Sequence, residues 1–376
     1  MAQTKEEPFK EIWIDGSHKF SEFTTSKSQS SQAEIDESLS TLQVKKDEWA
    51  RLPIRERLVL LDKSLQGMMG VANRWVYGAL DEKQAPANSL AEAEEWVSLA
   101  IVFRALHTIK RSLIDIRKQG RPRIPGPARV NQDGQAVVRV FPLRPTDRFL
   151  FLNFTGELWL EPGTSLEEMI NTQASSYRED KPQGKIALVL GAGNASFLPV
   201  IDMLHKLFLE AQVVILKLNP VNAYIGPLIE QGFKPLIDHG FLRVLYGSVS
   251  VGSYLCQHPA VDELHLTGSD KTYEAIVFGQ GSEGEKRKAS GDPLNPRRFT
   301  GELGNVSPVI IVPGPWNDKD MAYQATQLAS WIVVNAGFAC LAPRVIIQHA
   351  SWPGRRPLLE RVGNRLAKTE TRMAYY

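Results

Sequence analysis

Cysteine is nearly absent. Cys256 and Cys340 are the only two in 376 residues, so no disulfide framework can form, and their spacing with the seven histidines makes no zinc-ligand pattern. Any cysteine that matters here matters as a thiol. An excess of one charge is also lacking: 44 Lys and Arg against 42 Asp and Glu leave a net +2, which gives no overall field to draw the chain to nucleic acid or an anionic membrane. Long apolar runs are missing as well. The stretch Ile186 to Ile201 is interrupted by Gly191, Gly193, Asn194 and Pro199, short of the ~20 apolar residues of a bilayer span. The opening MAQTKEEPFKEIWID mixes both charges without an apolar core and does not read as a secretory signal. These absences point to a soluble, cytoplasmic protein acting on a small molecule, with no nucleic acid, membrane or metal.

Residues 1–30 are polar, and TTSKSQSSQ has too little apolar content to order itself, so this segment is expected to be a flexible tail. Helical spacing then begins. Ile35, Leu39 and Leu42 share one face, and Ile54, Leu58, Leu61 and Leu65 repeat the pattern. Ser89 with Glu92 three positions on predicts a capping box, opening a helix with Trp96, Leu99, Phe103 and Leu106 inward. The Pro-rich run RPRIPGPARV ends this helical layer. Asp133-Gly134 between two apolar runs predicts a hairpin, and so a small β element near 128–160.

From Lys185 onward, strands alternate with helical segments: Lys185 to Leu190, Gln212 to Lys217, Leu242 to Tyr246, and Glu263 to Thr267. The alternation predicts a largely parallel sheet covered on both faces. Residues 279–300 are rich in Gly, Pro and charge and read as a long loop. A second unit is expected from Gly301, with strands at Val309 to Val312 and Arg344 to Ile347 around a helix over Lys319 to Val334. The expected organisation is thus a tail, a Rossmann-type nucleotide-binding domain over 31–300, and a partial α/β catalytic domain over 301–376.

Gly191-Ala192-Gly193-Asn194-Ala195-Ser196 lies between a strand and a helix, where backbone N–H groups can meet a pyrophosphate. Ser196 replaces the third glycine of the dinucleotide fingerprint, and Lys217 stands where an acidic ribose ligand belongs, so a standard Rossmann dehydrogenase is disfavoured. Four further segments follow in order: Lys217-Leu218-Asn219-Pro220; Leu266-Thr267-Gly268-Ser269; Gly301-Glu302-Leu303-Gly304-Asn305 with Ser307-Pro308; and Asn335-Ala336-Gly337-Phe338-Ala339-Cys340 with Arg344. Together they resemble the aldehyde dehydrogenase family over roughly residues 185 to 350, with more diffuse similarity back through DEWARLPIRERLVLLDKS.

The resemblance implies oxidation of an aldehyde to a carboxylic acid with NAD or NADP. It makes Cys340 the nucleophile, Asn194 the donor to the developing oxyanion, and Glu302 the base that activates water against a thioester. It places Lys217, Asn219, Gly193, Gly268 and Ser269 along the cofactor. Asn219 and Pro220 occupy the turn where the family has an acidic residue, which leaves NAD and NADP open. Asn305 stands for a usual glycine and Phe338 for a common glutamine. The family's catalytic domain continues past the nucleophile with a Glu-x-Phe-Gly motif that this sequence does not contain, so an incomplete catalytic domain is expected. The β element would then serve oligomerisation, with a second copy or a complementary C-terminal chain as partner. Alternatives are an acyl-CoA reductase, in which the thioester exchanges with CoA, and a non-catalytic remnant that binds nucleotide or a partner chain.

Overall fold

The computed structural model describes residues 29–376. The expected tail lies outside the described residues except for Gln29 and Ser30, whose contacts run to the loop after a sheet-edge strand (Ser30 N–H to Tyr246 O, 3.0 Å). Three long helices come first: α1 (Gln32–Arg51), α2 (Ile54–Glu82) and α3 (Leu90–Gln119). Their apolar faces are those read from the spacing, with Ile35, Leu39, Leu42, Leu58, Leu61, Leu99 and Leu106 all buried. The α3 start differs in detail. Ser89 Oγ accepts from Glu92 N–H, but the Glu92 carboxylate turns to Asn88 N–H at 2.6 Å, so the box is half formed.

A three-stranded antiparallel sheet follows, β1 (Ala128–Val130), β2 (Ala136–Phe141) and β3 (Gly156–Trp159), with α4 (Pro145–Leu150) inside the second connection. Arg104 of α3 holds it through Asp147 of α4, with paired contacts of 2.8 and 3.1 Å. After α5 (Leu166–Thr172) come β4 (Ile186–Leu190), α6 (Leu198–Leu204), β5 (Val213–Lys217), α7 (Gly226–Gly232), α8 (Lys234–Asp238), β6 (Leu242–Leu245), α9 (Val249–Gln257), β7 (Glu263–Gly268), α10 (Asp270–Phe278), α11 (Gly281–Ser290) and β8 (Phe299–Leu303). The five strands β4 to β8 form one parallel sheet in the order β6-β5-β4-β7-β8. Every residue of β4 and β5 is buried, as expected for strands covered on both faces. Trp49 of α1 anchors one covering layer, with its ring 4.8 Å from Phe241 and 5.5 Å from Phe208. Elsewhere α2 meets α7 so closely that a Cβ on Gly67 would lie 2.3 Å from the Gly232 carbonyl oxygen.

Two sequence expectations are corrected. Residues 279–300 are not a continuous loop, because 281–290 form α11. Its charges pair along and across the helix, Glu283 with Arg287 at 3.7 Å and Lys288 with Glu274 at 2.5 Å, and Gly291 stops it at φ +68°. Within this helix only Gly284 is buried, so a solvated helix reads by composition like a loop. The strand carrying Gly301 and Glu302 also belongs to the main sheet, pairing with β7 so that Thr267 faces Glu302. The second unit therefore starts beyond Leu303. It holds β9 (Val309–Ile311) and β10 (Ile346–Gln348), paired in parallel, with α12 (Asp318–Val333) and α13 (Arg355–Leu366) over a small core of Ile311, Met321, Ala325, Leu328, Trp352, Leu358 and Val362.

The sheet has two unlike ends. At the N-terminal ends of its strands Glu263 and Glu210, both largely buried, are bound by cations: Lys185 to Glu263 at 2.7 Å, Lys206 to Glu210 at 3.0 Å, and Arg298 to both at 2.5 Å. Lys206 sits in a single π-helical turn (His205–Leu209) and is 1% exposed. The C-terminal ends carry the functional candidates.

Candidate functional site

Chain order reverses beside β4, since β5 and β6 lie on one side of it and β7 and β8 on the other. At such a reversal the loops after adjacent strands diverge and leave a crevice at the strands' carboxyl ends. The loop after β4 forms its floor. Gly191 N–H donates to Lys217 O at 3.0 Å, and the buried Asn222 carboxamide donates to Ala192 O at 2.8 Å and Ala195 O at 3.2 Å. Ser196, the substitute for a third glycine, points into the core: its hydroxyl accepts from Trp75 Nε1 and donates to Glu95 Oε2, both at 3.2 Å. Gly193 has no room for a side chain, because a Cβ there would lie 2.5 Å from the Tyr376 ring and 2.8 Å from Asn219 Cγ.

Asn194 joins this floor to the loop before Cys340. Its Nδ2 donates to Phe338 O at 2.9 Å, and its own carbonyl accepts from Asn335 Nδ2 at 2.6 Å. The Tyr375 hydroxyl lies 2.6 Å from that same carbonyl and 2.7 Å from Asn335 Oδ1. Phe338 packs edge-on against the rings of Tyr375 and Tyr376. Cys340 is exposed, and its carbonyl accepts from Ser307 Oγ at 2.8 Å. Ser307 lies five residues beyond Glu302, and Arg344 N–H bonds Val306 O at 3.0 Å, so the segment after β8 runs beside the cysteine turn. Asn194, Cys340 and the Glu302 segment thus share one rim.

A family model, the aldehyde dehydrogenase family, matches residues 154–372, well over half of the sequence. The chain belongs to the aldehyde dehydrogenase family. Aldehyde dehydrogenase LUC3 of a Fusarium species is 27% identical over 167 residues, which cover 44% of this chain and 29% of that protein. Among solved structures, the aldehyde dehydrogenase AldC from Pseudomonas syringae, in complex with NAD+ and octanal, superimposes with a TM-score of 0.59 at 15% identity over 91% of this chain and 56% of its own. The NADP-dependent glyceraldehyde-3-phosphate dehydrogenase from Bacillus halodurans, in complex with NADP, gives 0.55 at 18% identity over 90% and 57%. The chain spans less than a third of the curated relative and just over half of each solved structure.

In this aldehyde dehydrogenase chain Lys217 ends β5 and Asn219 opens the turn after it. Lys217 is 8% exposed, and burial pushes its ammonium down to about 8, partly countered by the neighbouring Cys256. Among the described residues no carboxylate pairs with it. The Asn219 side chain accepts from Val221 N–H at 3.1 Å and so shapes its own turn. Ser269 likewise caps α10, accepting from Thr272 N–H at 3.1 Å, and Gly268 leads into that helix start. Cys256 is buried, and desolvation raises its thiol to about 11, which suits a structural residue.

Lys83, Glu95, Asn222 and Tyr375 were not singled out from the sequence. Lys83 bonds Glu95 at 2.5 Å and Asn335 Oδ1 at 2.9 Å, and lies 4.5 Å above the Tyr375 ring. Beside it opens a cavity of about 260 Å³ whose lining includes Pro86, Leu90, Ala336, Met373 and Tyr375. No local pattern marks a lysine at the end of α2 as a neighbour of a loop 252 positions away.

Proposed function

We propose that this chain carries the machinery for oxidising an aldehyde to a carboxylic acid with NAD or NADP, through a thioester on Cys340. The observation that supports this most directly is the Asn194 Nδ2 to Phe338 O contact. It aims a carboxamide at the turn that presents an exposed thiol, and the second N–H of that carboxamide has no partner among the described residues and can meet an oxyanion. In the proposed sequence the Cys340 thiolate adds to the aldehyde carbon, and the Asn194 amide stabilises the resulting oxyanion, a contact worth roughly 3 kcal/mol in the transition state. Glu302, exposed at the end of β8, takes a proton from the water that hydrolyses the thioester.

Two features support a dinucleotide in the crevice: a buried lysine without a carboxylate partner among the described residues, and a helix start at Ser269. Lys217, Asn219, Gly193, Gly268 and Ser269 would hold the cofactor. When bound, it supplies the hydride acceptor. The missing acidic partner at Lys217 leaves space and charge for a 2′-phosphate as well as for a hydroxyl.

A second proposal is binding without turnover. It draws on Tyr375 and Tyr376, which occupy the space over Asn194 and Gly193.

The test is incubation with NAD or NADP and a panel of short, long and aromatic aldehydes, following reduced cofactor at 340 nm beside Cys340→Ala. Turnover that the variant abolishes supports oxidation. A nucleotide-induced rise in melting temperature without turnover supports binding alone. Neither response refutes both.

A further inference from the structure

Asn335 adopts φ +53°, the first of three consecutive left-handed residues with Ala336 at +52° and Gly337 at +80°. Non-glycine residues persist in that region only where their surroundings hold them. Four groups hold Asn335. Its N–H donates to Glu94 Oε2 at 3.0 Å, its Nδ2 donates to Asn194 O at 2.6 Å, and its Oδ1 accepts from Lys83 Nζ at 2.9 Å, with the Tyr375 hydroxyl 2.7 Å away.

Lys83 is the cation among them. Its side chain is 11% exposed, and it is paired with Glu95, whose side chain is 4% exposed. Glu95 is fixed in turn by Ser196, the residue that follows Ala195 in the β4 loop. An ammonium at Oδ1 allows one orientation of the carboxamide, with the amide nitrogen turned to Asn194. The buried pair thus ties the end of α2 to both halves of the rim, the β4 loop through Ser196 and the cysteine loop through Asn335. A charged hydrogen bond of this kind is stronger than a neutral one and is not replaced by water in a buried setting.

We propose that Lys83 is a positioning residue, with Glu95 as its anchor: through Asn335 it sets the register between Asn194 and the loop that carries Cys340. The loop-holding half of this inference stands on the contacts above, and the catalytic half rests on the aldehyde oxidation proposed for the same rim.

The test uses the full chain with Lys83→Met, Lys83→Arg and the double variant Lys83→Met/Glu95→Gln, which removes both buried charges together and so folds even if the single loss does not. Amide hydrogen exchange is read by mass spectrometry in 334–341, with 99–116 of α3 as internal reference. The expected result is exchange at least tenfold faster in the loop for both methionine variants, an unchanged reference, and near wild-type protection in Lys83→Arg. In turnover assays kcat falls at least tenfold with KM within about twofold, and arginine restores most of it. Unchanged loop exchange in the double variant overturns the proposal. Faster exchange with unaltered kcat overturns the catalytic half. If the wild-type chain turns over no aldehyde, the functional proposal has failed on its own, and exchange alone decides the role of Lys83.

Discussion

The depressed Lys217 ammonium gives the chain an unusual dependence of stability on pH. Unfolded, this lysine titrates near its ordinary 10.5; folded, burial brings it to about 8. At ~1.4 kcal/mol per pH unit, the buried charge costs the folded state about 3 kcal/mol. The sign follows from proton counts: between pH 8 and 10.5 the unfolded chain holds the proton that the folded chain has released, so stability rises with pH across that window, and the full cost is present below pH 8. Cys256 works in the opposite direction. Its thiol, raised from 9.0 to about 11 in the fold, keeps a proton that the unfolded chain loses, so stability falls between pH 9 and 11. Only the lysine acts between pH 8 and 9, where the gain is about 1 kcal/mol; above 9 the two nearly cancel. Urea unfolding, followed by the fluorescence of buried Trp49 and Trp75, measures this directly. Lys217→Met should remove the rise and be more stable than wild type at pH 7 by about 2 kcal/mol, since it deletes the charge and keeps the packing. In Cys256→Ala the rise should continue past pH 9. A wild-type profile flat from pH 8 to 9, or a methionine variant with the same slope as wild type, refutes the reasoning.

Asp147 supplies an acid-side counterpart. Its bond to Arg104, aided by the N–H groups of Leu143 and Arg144, holds its carboxyl at about 2 against the ordinary 3.8. The stability it contributes is present above pH 4 and lost as pH falls toward 2; Asp147→Asn should lower stability by about 1–2 kcal/mol at neutral pH and flatten that acid limb in urea titrations. The two thiols should separate kinetically: iodoacetamide at pH 7.5 should label exposed Cys340 in the native chain and reach buried Cys256 only after denaturation. Peptide mass spectrometry reads both sites, and rapid native labelling of Cys256 would contradict its burial.

What the sequence disclosed follows from the range of the forces involved. The α1, α2 and α3 faces and the strands β4 to β7 repeat an apolar pattern over a few residues, and that pattern is the burial itself. The Asp133-Gly134 hairpin is equally local. Helix α11 escaped because its stability comes from charge pairs and a glycine stop, which share their composition with loops. Strand β8 was assigned to the wrong side of a boundary because its partner, β7, is fixed by register across the sheet rather than by anything near Gly301. At the site, motifs quoted from the sequence do converge where Asn194, Asn335 and Phe338 touch. Ser269 and Asn219 turn out also to cap their own turns, a role that any serine or asparagine at such a position can fill. The Lys83 and Glu95 pair was illegible because neither residue departs from an ordinary amphipathic helix until the third dimension brings Asn335 to it.

The contrast between the two ends of the main sheet bears on how such a chain can change over generations. At the strands' starting ends, Glu210, Glu263, Lys185, Lys206 and Arg298 form an interlocked charge set in which losing one member strands the others. At the finishing ends the buried pair of Lys83 and Glu95 stands among neutral amide contacts, such as those of Asn194 and Asn222, and the amide contacts can be exchanged singly. Drift in chemistry can therefore proceed at the rim while the opposite margin keeps the architecture in register, so a descendant could lose or acquire a reaction without forfeiting its fold.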